Sequence, residues 1–313
     1  MSRNRTKRGF TLVELLVVIG ILGVLSAVLM GALSGSTDSA RAALCLSNMK
    51  NLANACQSYG VAAGRYPGAG SLECFEPKAT RRGSRSKMEY KERKGWISWF
   101  SENRYPAESH QKCPIVGMFS TDREQSQYAI TNGAVWKYVS SNSKVYVCPL
   151  HVNKRVSPNW SYLMNARFGW DAADGSFTYP VDEGFILYGR LNGADRTLLF
   201  SEVPFQGPGD WFPEGEGASM DTDCILQYKG CNKAYTAMGK SKRDGNEHIG
   251  CNHKNGKYWY AHVVFADAHT EKLCVSNSRG VGISSQNLRD LTTWLCTGKE
   301  VSFDGTRYNE IKD

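Results

Sequence analysis

No two of the ten cysteines are spaced as C-x-x-C. That absence argues against a thioredoxin-type redox pair and against a zinc ribbon. The chain also has no phosphate-binding loop, no G-x-S-x-G nucleophile elbow, no H-E-x-x-H zinc helix and no G-x-G-x-x-G dinucleotide turn. No stretch matches an EF-hand loop. Nucleotide-dependent and common hydrolytic chemistries therefore lack their local signatures. Mean hydropathy is −0.42, so most of the chain is polar in character. Charge is almost missing from one stretch only, Phe10 to Leu33, where Glu14 stands alone among apolar and small residues.

That stretch reads FTLVELLVVIGILGVLSAVLMGAL. As a helix rising about 1.5 Å per residue, it is long enough to cross a hydrocarbon layer of about 30 Å. Residues 1–9 precede it and carry Arg3, Arg5, Lys7 and Arg8. Bases flanking a span stay on the cytoplasmic side, so the remainder is expected beyond the inner membrane. A secretory signal peptide has a shorter apolar core and an A-x-A-like exit, which this run lacks. A plain single-pass anchor explains the bases and the length but neither Gly9-Phe10 nor Glu14. A carboxylate at the centre of a lipid span costs about 2.5 kcal/mol or more on insertion scales and calls for a partner. A cut after Gly9 would free an α-amino group on Phe10, a cation able to pair with Glu14 of a neighbouring copy.

Arg8-Gly9-Phe10-Thr11-Leu12-Val13-Glu14-Leu15-Leu16-Val17-Val18-Ile19 resembles the prepilin peptidase signal of type IV pilins and type II secretion pseudopilins. The resemblance implies cleavage after Gly9, N-methylation of the new terminal Phe10 and an assembly role for Glu14. It also implies an α+β pilin-like fold, in which a long N-terminal transmembrane and amphipathic helix packs on an antiparallel β-sheet head. The implied partners are a prepilin peptidase/methylase, other pilin-like subunits, the secretion or pilus machinery and the inner membrane.

The 313 residues carry a net charge of +8, and removing the four leader bases leaves 8 − 4 = +4. Overall basicity is thus a weak guide to partners. All ten cysteines follow the apolar run, in an oxidising compartment if the topology holds, and their even number suggests disulfides. Connectivity stays open, with Cys224–Cys231 and Cys251–Cys274 as local candidates.

The organisation expected is a leader over 1–9, a transmembrane helix over 10–33, an amphipathic extension over 34–64 and a head over 65–313. Cys45, Met49, Leu52, Cys56 and Tyr59 share one helical face, and Gly60, Gly64 and Pro67 end the helix. The helix is expected to bend near Gly31–Gly35. Residues 69–95 read as a basic insertion, with eight bases and two acids between Lys78 and Lys94, a local 8 − 2 = +6. Such a run is usually solvated, or it meets an anionic envelope surface. Tyr90 and Trp96 are too few to suggest stacking on nucleic acid, and no nucleic-acid partner is expected. Strands are expected at Lys144–Pro149, Trp160–Asn165 and Arg196–Glu202. A hairpin is expected from Tyr258–Ala266 and Glu271–Val275 about an Asp267-Ala268-His269 turn, and a late helix after Ser285. Gln206–Gly217 reads as a surface loop.

Leu44-Cys45 with Asn48 and Leu52, Val147-Cys148-Pro149, Ser161-Tyr162 with Met164-Asn165, and His253 with Phe265-Ala266-Asp267 occur in that order. Together they are similar to a group of bacterial pseudopilin-like proteins that carry a C-terminal His…Asp-Gly element. Here the His-to-Asp interval is longer, and Ala268 stands where Gly is usual. The resemblance implies no chemistry for His253 or Asp267, and a turn role suits Asp267.

His248, Cys251, His253, His262 and His269 lie close in sequence and could hold Zn²⁺, although a disulfide at Cys251 is the better expectation. Asp171, Asp174, Asp221 and Asp223 offer oxygens for Ca²⁺. No cofactor is expected, with Ca or Zn the only candidates. The expected function is a structural subunit of a type II secretion pseudopilus or type IV-like pilus, a substrate of the peptidase and no enzyme itself. The alternative is a membrane-tethered module that binds glycan or another envelope ligand without polymerising. An anchored hydrolase built on the histidines comes third.

Overall fold

In a computed structural model, the structure describes residues 11–73, 95–101, 115–116, 123–150, 160–171, 177–178, 186–204, 224–228, 231 and 248–312, and at 27, 29–37, 71–73, 99–101, 115–116, 123–126, 170–171 and 177–178 the backbone alone. Gly9, Phe10, Cys74, Cys113, Asp174, Asp221, Asp223, the Lys78–Lys94 run and the Gln206–Gly217 loop lie outside these residues.

Leu12–Ala63 form one helix, α1, of 52 residues, about 78 Å long at 1.5 Å per residue. It runs unbroken through Gly31 and Gly35, where the sequence suggested a bend. It stops at Gly64, which takes the left-handed conformation (φ 74°) and donates its N–H to the Gly60 carbonyl at 2.8 Å. Only glycine enters that region without cost.

The two halves of α1 meet different surroundings. Every described large apolar side chain from Leu12 to Val28 is exposed, from 46% at Val18 to 81% at Leu12. Farther along, Cys45, Met49, Leu52 and Cys56 are fully buried, as the helical spacing foretells. Among the described residues, no helix is long and apolar enough to cross a membrane.

The head follows. Strands β1 (Ser71–Glu73), β2 (Ser98–Ser101) and β3 (Ile115–Val116) make a small sheet, and helix α2 (Arg123–Thr131) packs on β2. Next come β4 (Tyr162–Asn165), the β5–β6 pair (Trp170–Asp171 and Phe177–Thr178) and β7 (Leu198–Glu202). After these lie β8 (Ile225–Leu226), β9 (His253–Asn255), β10 (Tyr258–Phe265) and β11 (Thr270–Cys274). Helix α3 (Ser285–Thr297) and the β12–β13 hairpin (Val301–Phe303 and Tyr308–Glu310) close the chain. The main sheet runs β11-β10-β7-β4-β8, with β9 also paired to β10. It is antiparallel apart from the β4–β8 pair. The architecture is α+β, a long N-terminal helix with a mostly antiparallel sheet.

The docked half of α1 lies against β7, β10 and β11 and against two 3₁₀ turns, Trp136–Val139 and Ser143–Tyr146. Trp96 sits fully buried in this core, stacked on Tyr146 at 5.7 Å and edge-on to Phe200 at 4.8 Å. The Asn165 side-chain amide donates to the carbonyls of Leu198 and Cys296 at 2.8 and 3.0 Å, tying β4 to β7 and α3.

Two expectations need correction. Lys144–Pro149 is no strand. Asn142 caps a 3₁₀ turn through the Lys144 N–H, and Asn48 on α1 donates to the carbonyls of Lys144 and Val147. Those carbonyls are therefore not available to a β-ladder. The local cysteine pairs are not bonded either. Cys251 and Cys274 are free thiols, and the Cys224 thiol donates to the Ala69 carbonyl at 3.3 Å.

Candidate functional site

Among the described residues, two places carry chemistry beyond packing. The first is the start of α1. Thr11 is the N-cap, and its hydroxyl accepts from the Glu14 N–H at 3.2 Å. Glu14 Oε2 in turn accepts from the Thr11 N–H and hydroxyl, both at 2.8 Å. This reciprocal box satisfies two orphan donors of the first turn and places a carboxylate at the positive end of the helix dipole. In the isolated chain, Glu14 has its own helix start as partner.

The second place is buried where the helix meets the head. Cys45 Sγ on α1 donates to Glu202 Oε1 at the end of β7, 3.1 Å away. Glu202 Oε2 lies 2.9 Å from His253 Nε2 at the start of β9, within ion-pair distance. His253 Nε2 stands 4.0 Å from Cys148 Sγ. All four side chains are buried, and their four ligand-type atoms lie within 4.8 Å of one another. The Tyr162 hydroxyl donates to Cys45 Sγ at 3.5 Å, and His262 stacks on His253 with ring centroids 3.6 Å apart.

Local structure fixes each member. Glu202 ends a strand whose five residues are all buried, and it pairs in register with Tyr162. Cys148 is held by its N–H, donated to Ser161 Oγ at 2.5 Å, and by the Asn48 grip on the preceding turn. The approach to His253 depends on Gly250, whose N–H donates to the Glu202 carbonyl at 2.9 Å. A Cβ at Gly250 would fall 2.5 Å from that same oxygen, so a side chain there would push the segment off β7.

The electrostatics are those of a small charged island in an apolar core. Burial alone would raise the Glu202 carboxyl, but the His253 ring beside it and the nearby Cys148 hold it below its ordinary range. Burial also opposes a charged His253, yet Cys148 and Glu202 push that ring up to about 9. His262 goes the other way: burial, with His253 and Lys272 nearby, presses it down to about 3. Burial, helped by Cys148 and Glu202, lifts the Cys45 thiol well above the usual range.

The histidines that lie close in sequence are dispersed in space. His248 Nδ1 contacts the Ile249 carbonyl, and the Cys251 thiol donates to the same oxygen. His269 sits in the β10–β11 turn, with Nδ1 2.6 Å from Asp267 Oδ1. Asp267 Oδ1 also accepts the His269 N–H at 3.0 Å, which gives it the expected turn role. His253 and Asp267 have no contact partner in common among these, so the C-terminal element splits between a buried cluster and a surface turn.

Residues 4–30 match a family model described as the prokaryotic N-terminal methylation motif. The chain carries a prepilin-type signal. No curated protein and no solved structure matches the chain. The matched residues take in Gly9, Phe10 and Glu14, and α1 begins two residues after Phe10. Thr11, inside the prepilin-type signal, is a capping residue that sequence reading passed over, although Thr-x-x-Glu is a capping-box pattern. Glu202 was missed as well. Its one local signal is an acid closing an apolar strand run. Cys45, Cys148, Tyr162 and His253 were already aligned by the second resemblance, but nothing local shows that they converge.

Proposed function

We propose that this chain is a prepilin-type structural subunit, assembled into a type II secretion pseudopilus or type IV-like pilus after cleavage following Gly9. The methylation motif at residues 4–30 carries the reading. In this reading residues 10–33 cross the inner membrane once, the leader faces the cytoplasm and the head lies outside. The unbroken α1, apolar and exposed in one half and docked in the other, suits a spine that moves from lipid into a bundle of like helices. Glu14 then exchanges its capping bonds for the terminal amine of an adjacent subunit. The work is mechanical rather than catalytic. The partners are the prepilin peptidase/methylase, sister subunits and the assembly machinery.

Intact-mass measurement of protein from native membranes tests processing. The expected species begins at Phe10 and carries one added methyl group, whereas a chain that keeps residues 1–9 overturns the reading. Glu14→Ala tests assembly. Loss of co-purification with sister subunits, with the head still folded, supports a polymer. Unchanged behaviour points to a tethered envelope-binding module instead.

A further inference from the structure

We propose that Cys45, Cys148, Glu202 and His253 bind one thiophilic transition-metal ion, Zn²⁺ in the first instance, which clips the helix to the head. Two thiols, a carboxylate and an imidazole form a ligand set that zinc accepts in closed four-coordinate sites. Tetrahedral zinc with these bond lengths sets neighbouring ligand atoms about 3.3–3.8 Å apart. The separations of 2.9, 3.1 and 4.0 Å bracket that span, and all four atoms fit within 4.8 Å. Ca²⁺ and Mg²⁺ take oxygen ligands and would leave both sulfurs unused.

A second observation points the same way. Glu202 is fully buried, with Oε2 2.9 Å from the His253 ring nitrogen and Oε1 3.1 Å from Cys45 Sγ. A carboxylate, an imidazole nitrogen and two sulfurs that close, all out of water, suit donors sharing one cation. A Cys45–Cys148 disulfide would account for two of the four side chains. It would leave the buried carboxylate and imidazole to offset each other's desolvation alone. On coordination both thiol protons and the proton on His253 Nε2 pass to solvent, and His253 binds as the neutral ring.

The ligands come from α1, from the turn after the Ser143–Tyr146 3₁₀ helix, from β7 and from β9. They stand 103, 54 and 51 positions apart along the chain. All four positions are taken by protein, and the site is buried, so the ion serves as a cross-link and has no open position for substrate. The inference rests on the head and the docked half of α1, and it holds whether or not the chain polymerises.

The test uses the full chain, untagged by histidines, extracted in detergent without chelator. Elemental analysis is expected to find about one zinc per chain. Cobalt exchanged into the same protein is expected to show the visible bands of tetrahedral Co²⁺ and near-ultraviolet thiolate charge-transfer bands. Cys148→Ser and Glu202→Gln are expected to reduce bound zinc to trace levels, while Cys274→Ser keeps it. If the Cys148 or Glu202 variants fail to fold, the cobalt spectrum of the unaltered chain decides alone. Metal-free protein with Cys45 and Cys148 joined in a non-reducing digest overturns the proposal. So does zinc retained in a folded Cys148→Ser variant, or cobalt bands without thiolate charge transfer.

Discussion

At Glu202 a single carboxylate sits fully out of water and is offset by one imidazole and two thiols. Removing one member of such a group leaves the others uncompensated. Glu202→Ala is therefore expected to destabilise the head by about 3–5 kcal/mol, read from urea unfolding followed by tryptophan fluorescence. Ala268 makes the opposite case. It occupies the left-handed region at φ 69° in the β10–β11 turn. An L-residue with a Cβ pays about 1–2 kcal/mol for that conformation. Ala268→Gly should raise stability by about 1 kcal/mol, with the midpoint of unfolding as its measure. A lower midpoint would show that the Ala268 methyl contributes more by packing than its backbone loses.

Among the elements, α1 was the most legible, because an apolar run followed by a 4-3-4-3 stripe admits little but a long helix. The β10–β11 hairpin, β4, β7 and α3 were also readable from alternation and caps. The Lys144–Pro149 segment was not, because Lys-Val-Tyr-Val alternates like a strand while Asn48, 96 residues earlier than Lys144, claims the carbonyls that a ladder would need. Propensity is local, and such a grip is not. The buried cluster was hidden for the same reason. Its four members come from separate elements, whereas the histidines crowded near residue 250 disperse to three places. The two halves of α1 should respond differently to truncation of side chains. Met49→Ala removes a fully buried side chain and is expected to cost about 2–5 kcal/mol in urea unfolding of the detergent-extracted chain. Leu22→Ala, at a side chain 56% exposed to surroundings outside the chain, should leave head unfolding within about 0.5 kcal/mol.

On the scale of the whole molecule, sequence reading reached the layout of spine and sheet but not the strand order. The parallel β4–β8 pair needs a crossover, and its last stretch, residues 205–223, lies beyond the described residues. The docked half of α1 also belongs to the same apolar cluster as the sheet: Cys45, Met49, Leu52 and Cys56 pack with Trp96, Tyr162 and Phe200 in one core. This decides where the polypeptide can be shortened for work in water. A chain started at Asp38 leaves behind the greasy exposed half and should be recovered as a monodisperse soluble protein. One started at Arg65 would uncover the sheet's inner surface and should be recovered only as aggregate, a contrast that size-exclusion chromatography of the two products would read directly.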